Sequence, residues 1–160
     1  MKLPDTITEE ELTEVLKATK LKHHKIAFAL GFYNCMRISE VVKLNKEDID
    51  KERKLIYIKQ SKGKKDRHIP IAPEVSRGLR HIPMKCGVRA LQIAFNRVTE
   101  KVLGKKLNFH LLRHSGITHY LTKKGWNTSQ VQQLAGHSRI TTTQIYTHIN
   151  PTHLVDKMWD

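Results

Sequence analysis

Apolar residues recur at three- and four-residue intervals through most of this chain, and the interval changes to two only once, near its middle. The first helical run carries Leu12, Val15 and Leu16 on one face. Its start is marked by Ile7-Thr8-Glu9-Glu10-Glu11: Thr8 can cap the amide of residue 11 while Glu11 reaches back, and Ile7 can staple onto Leu12. A second helix is predicted from Ile26, Ala27, Leu30 and Tyr33, and a third from near Arg37, with Ile38, Val41, Val42 and Leu44 packed. The period then shortens. Leu55-Ile56-Tyr57-Ile58-Lys59 is β-branched and aromatic, a glycine-containing turn follows at 61–66, and Arg67-His68-Ile69-Pro70-Ile71 returns. This reads as a hairpin closed by Pro70 and Pro73, and Ile49 is a candidate for a preceding third strand.

Helical spacing resumes after Pro73. Val88, Leu91, Phe95, Val98 and Val102 form one stripe that ends before Gly104, and Phe109 to Lys123 form a further helix stopped by Gly125. Asn127 can cap a short helix bearing Val131 and Leu134, which Gly136 ends. A helix carrying Tyr146 comes next, and Asn150-Pro151 opens a last one with Leu154, Val155, Met158 and Trp159 on one side. The expected fold class is α+β: mostly α-helical, with a small three-stranded antiparallel sheet.

Composition narrows the picture. A chain of 160 residues suits one compact domain that buries roughly 70% of its unfolded surface, and a hydrophobic share of 39% argues against disorder. The net charge of +14, from 29 Lys+Arg against 15 Asp+Glu, favours a polyanionic partner, nucleic acid first among them. A solvated Lys-rich surface is the plainer reading of the same charge. No apolar run reaches ~18 residues, so no membrane partner is expected. Cys35 and Cys86 make neither a disulfide framework nor a CxxC pair, and they read as free thiols in a reducing cytoplasm.

Candidate chemistry is spread along the chain in a fixed order: Arg37 in Met-Arg-Ile-Ser-Glu, Lys62 in Ser-Lys-Gly-Lys-Lys-Asp-Arg, His110-x-x-Arg113, Gly136-His137, and Tyr146. Each motif is weak alone. Together, in this order and in this helix and strand context, they resemble the catalytic domain of the tyrosine recombinases, the phage-integrase or Xer-like site-specific enzymes. The resemblance covers nearly the whole chain.

The residue types suit displacement at a phosphodiester. Two guanidiniums can clamp the non-bridging oxygens bidentately, which fits Arg37 and Arg113. A phenol of pKa near ~10 needs a base or a strong cationic field before it attacks. The resemblance implies that Tyr146 is the nucleophile, that His110 takes its proton, that His137 supports the phosphate, and that Lys62 protonates the leaving 5′-oxygen. Lys64 and Lys65 are equally basic neighbours of Lys62. Further DNA contacts are expected from Lys59, Lys64, Lys65, Arg67 and Arg139.

The implied reaction is a transesterification through a 3′-phosphotyrosyl link, with no cofactor and no metal. The implied partners are double-stranded DNA and further copies of the protein, four protomers passing through a Holliday junction. The His110/His114 pair imitates half a zinc site, yet it lacks a following glutamate and an obvious third ligand. Two other readings compete: a DNA-binding module with a vestigial site that modulates a complete recombinase, and a type IB topoisomerase.

Relatives of this kind also carry an N-terminal helical DNA-binding domain. This chain is expected to comprise the catalytic domain over 1–160 with that half absent. The last helix, 151–160, has two readings: folded onto its own core, or, as the resemblance suggests, exchanged into a neighbouring protomer.

Overall fold

A computed structural model describes residues 6–59, 66–136 and 151–160. Helix α1 (Glu9–Ala18) starts with the expected reciprocal cap: Thr8 Oγ1 accepts from the Glu11 amide at 3.1 Å, and Glu11 accepts from the Thr8 amide at 3.0 Å. Ile7, Leu12 and Val15 are buried beneath it.

Helix α2 (Lys22–Tyr33) carries the expected Ile26, Ala27, Leu30 and Tyr33 and is buried well beyond them. Every residue from Ile26 to Tyr33 is buried. The reason is its position. Helix α1, helix α3 (Ile38–Lys43), helix α4 (Val88–Leu103), helix α5 (His110–Thr122) and the short turns Pro73–Val75 and Arg77–His81 all pack around it. A helix surrounded on all sides is apolar all round.

Helices α2 and α5 approach closely, and their contact sets the site. A Cβ placed on Gly116 of α5 would come 1.9 Å from the Phe32 carbonyl oxygen, so only glycine lets these backbones meet. Tyr120 of α5 donates to the Tyr33 carbonyl at 2.6 Å, pinning the same crossing. Phe28, Phe95 and Phe109 bring α2, α4 and the start of α5 together, with ring centroids 5.0–6.2 Å apart in tilted or edge-on pairs.

The sheet has three antiparallel strands, β1 (Ile49–Asp50), β2 (Leu55–Ile58) and β3 (Arg67–Pro70), in that order. Ile49 therefore does open a third strand, opposite Ile56. Ile56, Ile58 and Ile69 face the core, as alternation requires. Helix α6 (Thr128–Ala135) begins at Asn127, whose side chain accepts from the Gln130 amide, and ends at Gly136, whose φ of 69° is left-handed.

The last helix, α7 (Pro151–Trp159), lies on β3 and β2 of its own chain. Leu154 and Val155 are buried there. The Trp159 indole donates to the Ile71 carbonyl at 2.9 Å, and the Lys54 ammonium sits 3.9 Å from its ring centroid. In this single chain the helix is folded onto its own sheet.

Candidate active site

Arg37 precedes the first turn of α3 with an extended backbone. Its amide donates to Glu40 Oε1 at 2.9 Å, and its Nη1 lies 3.5 Å from Glu40 Oε2. Arg67, the first residue of β3, binds the same carboxylate. Its Nη1 donates to Oε2 at 2.8 Å and its Nη2 to Oε1 at 3.3 Å, a bidentate fork. Glu40 is buried, so it forms the centre of an inward ion cluster that fixes both arginines.

Arg67 was expected among the DNA contacts. In the structure its guanidinium is held on the buried Glu40 carboxylate, and 13% of its side chain is exposed. The Gly136 Cα lies against it: a Cβ added at Gly136 would meet the guanidinium carbon at 2.6 Å. Glycine at that position therefore does two things, allowing the left-handed helix end and leaving room for Arg67.

Arg113 reaches from α5 into the space between α2 and α6. Its Nη1 donates to the carbonyls of Cys35 at 2.7 Å and Ala135 at 2.6 Å. Cys35 has a φ of 52°, left-handed and uncommon for a side-chain-bearing residue, just after the end of α2. Ala135 is the last residue of α6, where the carbonyl ends of the helix favour a cation. Arg113 is 2% exposed, and burial followed by the charge of Arg37 pulls its pKa down to about 10. It is still fully charged at neutral pH.

Arg37, His110, Arg113, His114 and Ile117 line one open depression of about 250 Å³. His110 and Arg113 share a face of α5, as their spacing requires. The His110 pKa is lowered from 6.5 by burial first, then by Arg113, His114 and Arg37. The imidazole is consequently neutral at neutral pH and has a lone pair to offer.

Three of the predicted site residues, Arg37, His110 and Arg113, are thus brought together from parts of the chain 73–76 residues apart. Lys59 is exposed and lies 3.3 Å from Asp48. Lys62, Lys64, Lys65, His137, Arg139 and Tyr146 lie outside the described residues. Glu40 was legible as a partner for Arg37, three positions on. Its bridge to Arg67 was not, since 27 residues separate them and no local pattern links them.

The model of the phage integrase family matches residues 5–153. The chain belongs to that family. It is 32% identical to the tyrosine recombinase XerA of Thermococcus onnurineus, over 95% of this chain and 61% of that protein. The chain thus spans about three-fifths of the length of that curated relative. Among solved structures, the integrase of mycobacterium phage Brujita superposes with a TM-score of 0.83 at 16% identity, over 99% of this chain and 58% of that one. The Tn1549 transposon integrase in complex with transposon right end DNA gives a TM-score of 0.73 at 19% identity, over 98% and 65%. At those identities the two structures establish a shared fold. Family membership gives the depression lined by Arg37, His110 and Arg113 a chemical context.

Proposed function

We propose that this chain is the catalytic domain of a site-specific DNA recombinase, cleaving and rejoining strands at that depression. The observation that carries the reading is the convergence of two guanidiniums and a neutral imidazole on one open surface. In the proposed reaction, Arg37 and Arg113 bind the non-bridging oxygens of the scissile phosphate, and His137 adds a further hydrogen bond. The Tyr146 oxygen forms a bond to phosphorus as the bond to the 5′-oxygen breaks. His110 takes the phenol proton, and Lys62 supplies one to the leaving oxygen. A 5′-hydroxyl from a second duplex then attacks the phosphotyrosine, and the step reverses.

The other tyrosines support Tyr146 by elimination. The sequence holds four. Tyr33 donates its hydroxyl to Glu9 at 2.7 Å, Tyr120 donates to the Tyr33 carbonyl, and Tyr57 donates to Asp66. Burial raises the pKa of Tyr33 and Tyr120 above 10, and the bond to Asp66 raises that of Tyr57. A phenol held in its protonated form as a hydrogen-bond donor is a poor nucleophile.

The guanidiniums neutralise the phosphate charge that a metal dication would otherwise offset, and the phosphotyrosyl bond conserves the energy of the phosphodiester. The proposed chemistry is therefore metal-free and needs no cofactor. Lys59, Lys64, Lys65 and Arg139 are the proposed phosphate-backbone contacts, which position the duplex without reading its sequence. Full strand exchange would engage four protomers on two duplexes through a Holliday junction. The intramolecular seat of α7 would then be vacated in favour of the same seat on a neighbour.

A nicked duplex that loses its 5′-hydroxyl fragment on cleavage should trap a covalent protein–DNA adduct, visible on a denaturing gel, with equal yield in EDTA. Steep, salt-dependent binding without any adduct would favour the vestigial DNA-binding module instead. Relaxation of supercoiled plasmid without recombination would favour the topoisomerase.

A further inference from the structure

At the opposite end of α2 from the arginine clamp, three metal-ligating side chains converge that the proposed reaction does not use. His23 and His24 lie in the first turn of α2, and Cys86 lies in the segment leading into α4. One ligand atom from each lies within 4.8 Å of the other two. The Cys86 sulfur is 3.9 Å from His24 Nε2, and the two imidazole centroids are 4.4 Å apart. All three residues are half-buried, and His23 Nδ1 is buried without a hydrogen-bond partner among the described residues. A buried polar nitrogen left unpaired calls for an explanation.

We propose that His23, His24 and Cys86 bind a transition-metal dication of the zinc or cobalt type, tying the start of α2 to the segment before α4. Two imidazoles and a thiolate are the donor set such ions prefer, with water as the fourth ligand. The geometry needs only a small closure. An ion centred among three atoms no more than 4.8 Å apart lies at most about 2.8 Å from each, the spacing divided by the square root of three. Zn–N and Zn–S bonds are about 2.0–2.3 Å, so side-chain shifts of about 0.5–0.8 Å suffice.

The protonation states of the two histidines suit capture, and the thiol must give up its proton on binding. Burial lowers the pKa of both histidines, with Lys85 adding to the effect on His23, which keeps the rings neutral and their lone pairs available. Burial raises that of Cys86, so the free thiol is protonated. On binding, the S–H bond breaks, the sulfur bonds to the metal, and the proton leaves to solvent. The cluster lies roughly 15 Å along α2 from Tyr33, at 1.5 Å rise per residue, so its role is in holding the scaffold and not in the chemistry at the phosphate.

Cobalt(II) added to the reduced full chain tests this. The expected result is one equivalent bound, with a thiolate-to-cobalt charge-transfer band and the visible bands of a four-coordinate ion. Cys35 is fully buried in the core, so a thiolate band reports Cys86. Both signals should vanish in Cys86→Ser and fall sharply in His24→Asn. Zinc at a hundredfold excess over its dissociation constant should raise the parent's melting temperature by roughly 5–10 °C and leave that of Cys86→Ser unchanged. Absence of the band in the parent, its persistence in Cys86→Ser, or a melting shift shared equally by both proteins would each overturn the proposal.

Discussion

Replacing Glu40 by alanine should lower stability by about 3–5 kcal/mol and lower the melting temperature by roughly 6–20 °C. The reason is that the buried carboxylate accepts from the Arg37 amide and holds both arginines, taking a two-pronged bond from Arg67. Without it, two cations face one another in a partly desolvated space with Arg113 adding a third. Their repulsion then has no local counter-charge. Glu40→Gln keeps the volume and some hydrogen bonds but removes the charge, so it should lose most of the same stability. Thermal melts of the two variants check this. A loss below about 1 kcal/mol in both would mean that the cluster behaves as a solvated surface pair.

Arg113→Lys should reduce single-turnover cleavage by about 10²–10³-fold while non-specific DNA affinity changes little. Lysine keeps the positive charge, but it cannot bond the Cys35 and Ala135 carbonyls and still present a planar fork to a phosphate. One or both buried carbonyls would lose a donor, at about 1–3 kcal/mol each. The informative quantity is the split between the two readouts. A cleavage rate within tenfold of the parent would place the scissile phosphate away from this guanidinium.

Much of this architecture is legible in the sequence, for reasons that differ by element. The Thr8 and Asn127 helix starts are local hydrogen-bond patterns written within four residues, and both form as expected. The α+β class follows from the single change of period. The spacing of Ile26, Ala27, Leu30 and Tyr33 located helix α2, while burial of Phe28, Ala29, Gly31 and Phe32 as well depends on what packs around the helix. The bond from Arg67 to Glu40 likewise depends on the fold, since its partner is 27 residues away, on another element. The His23, His24 and Cys86 cluster has no recognisable ligand spacing, since 62 residues lie between His24 and Cys86. Chain order pointed to Arg37, His110 and Arg113 through resemblance, and the fold supplies their common wall. The intramolecular seat of α7 depends on Ile71 and Lys54, which no pattern within the helix could reveal.

Tyr146 is the proposed carrier of the DNA. Trapping the adduct on a nicked duplex, digesting the protein, and locating the nucleotide by mass spectrometry tests it directly. The nucleotide should reside on the peptide bearing Tyr146, and Tyr146→Phe should give no adduct while still binding DNA. A nucleotide on Tyr33, Tyr57, Tyr120 or any other side chain, or an adduct that survives Tyr146→Phe, would exclude Tyr146 as the nucleophile.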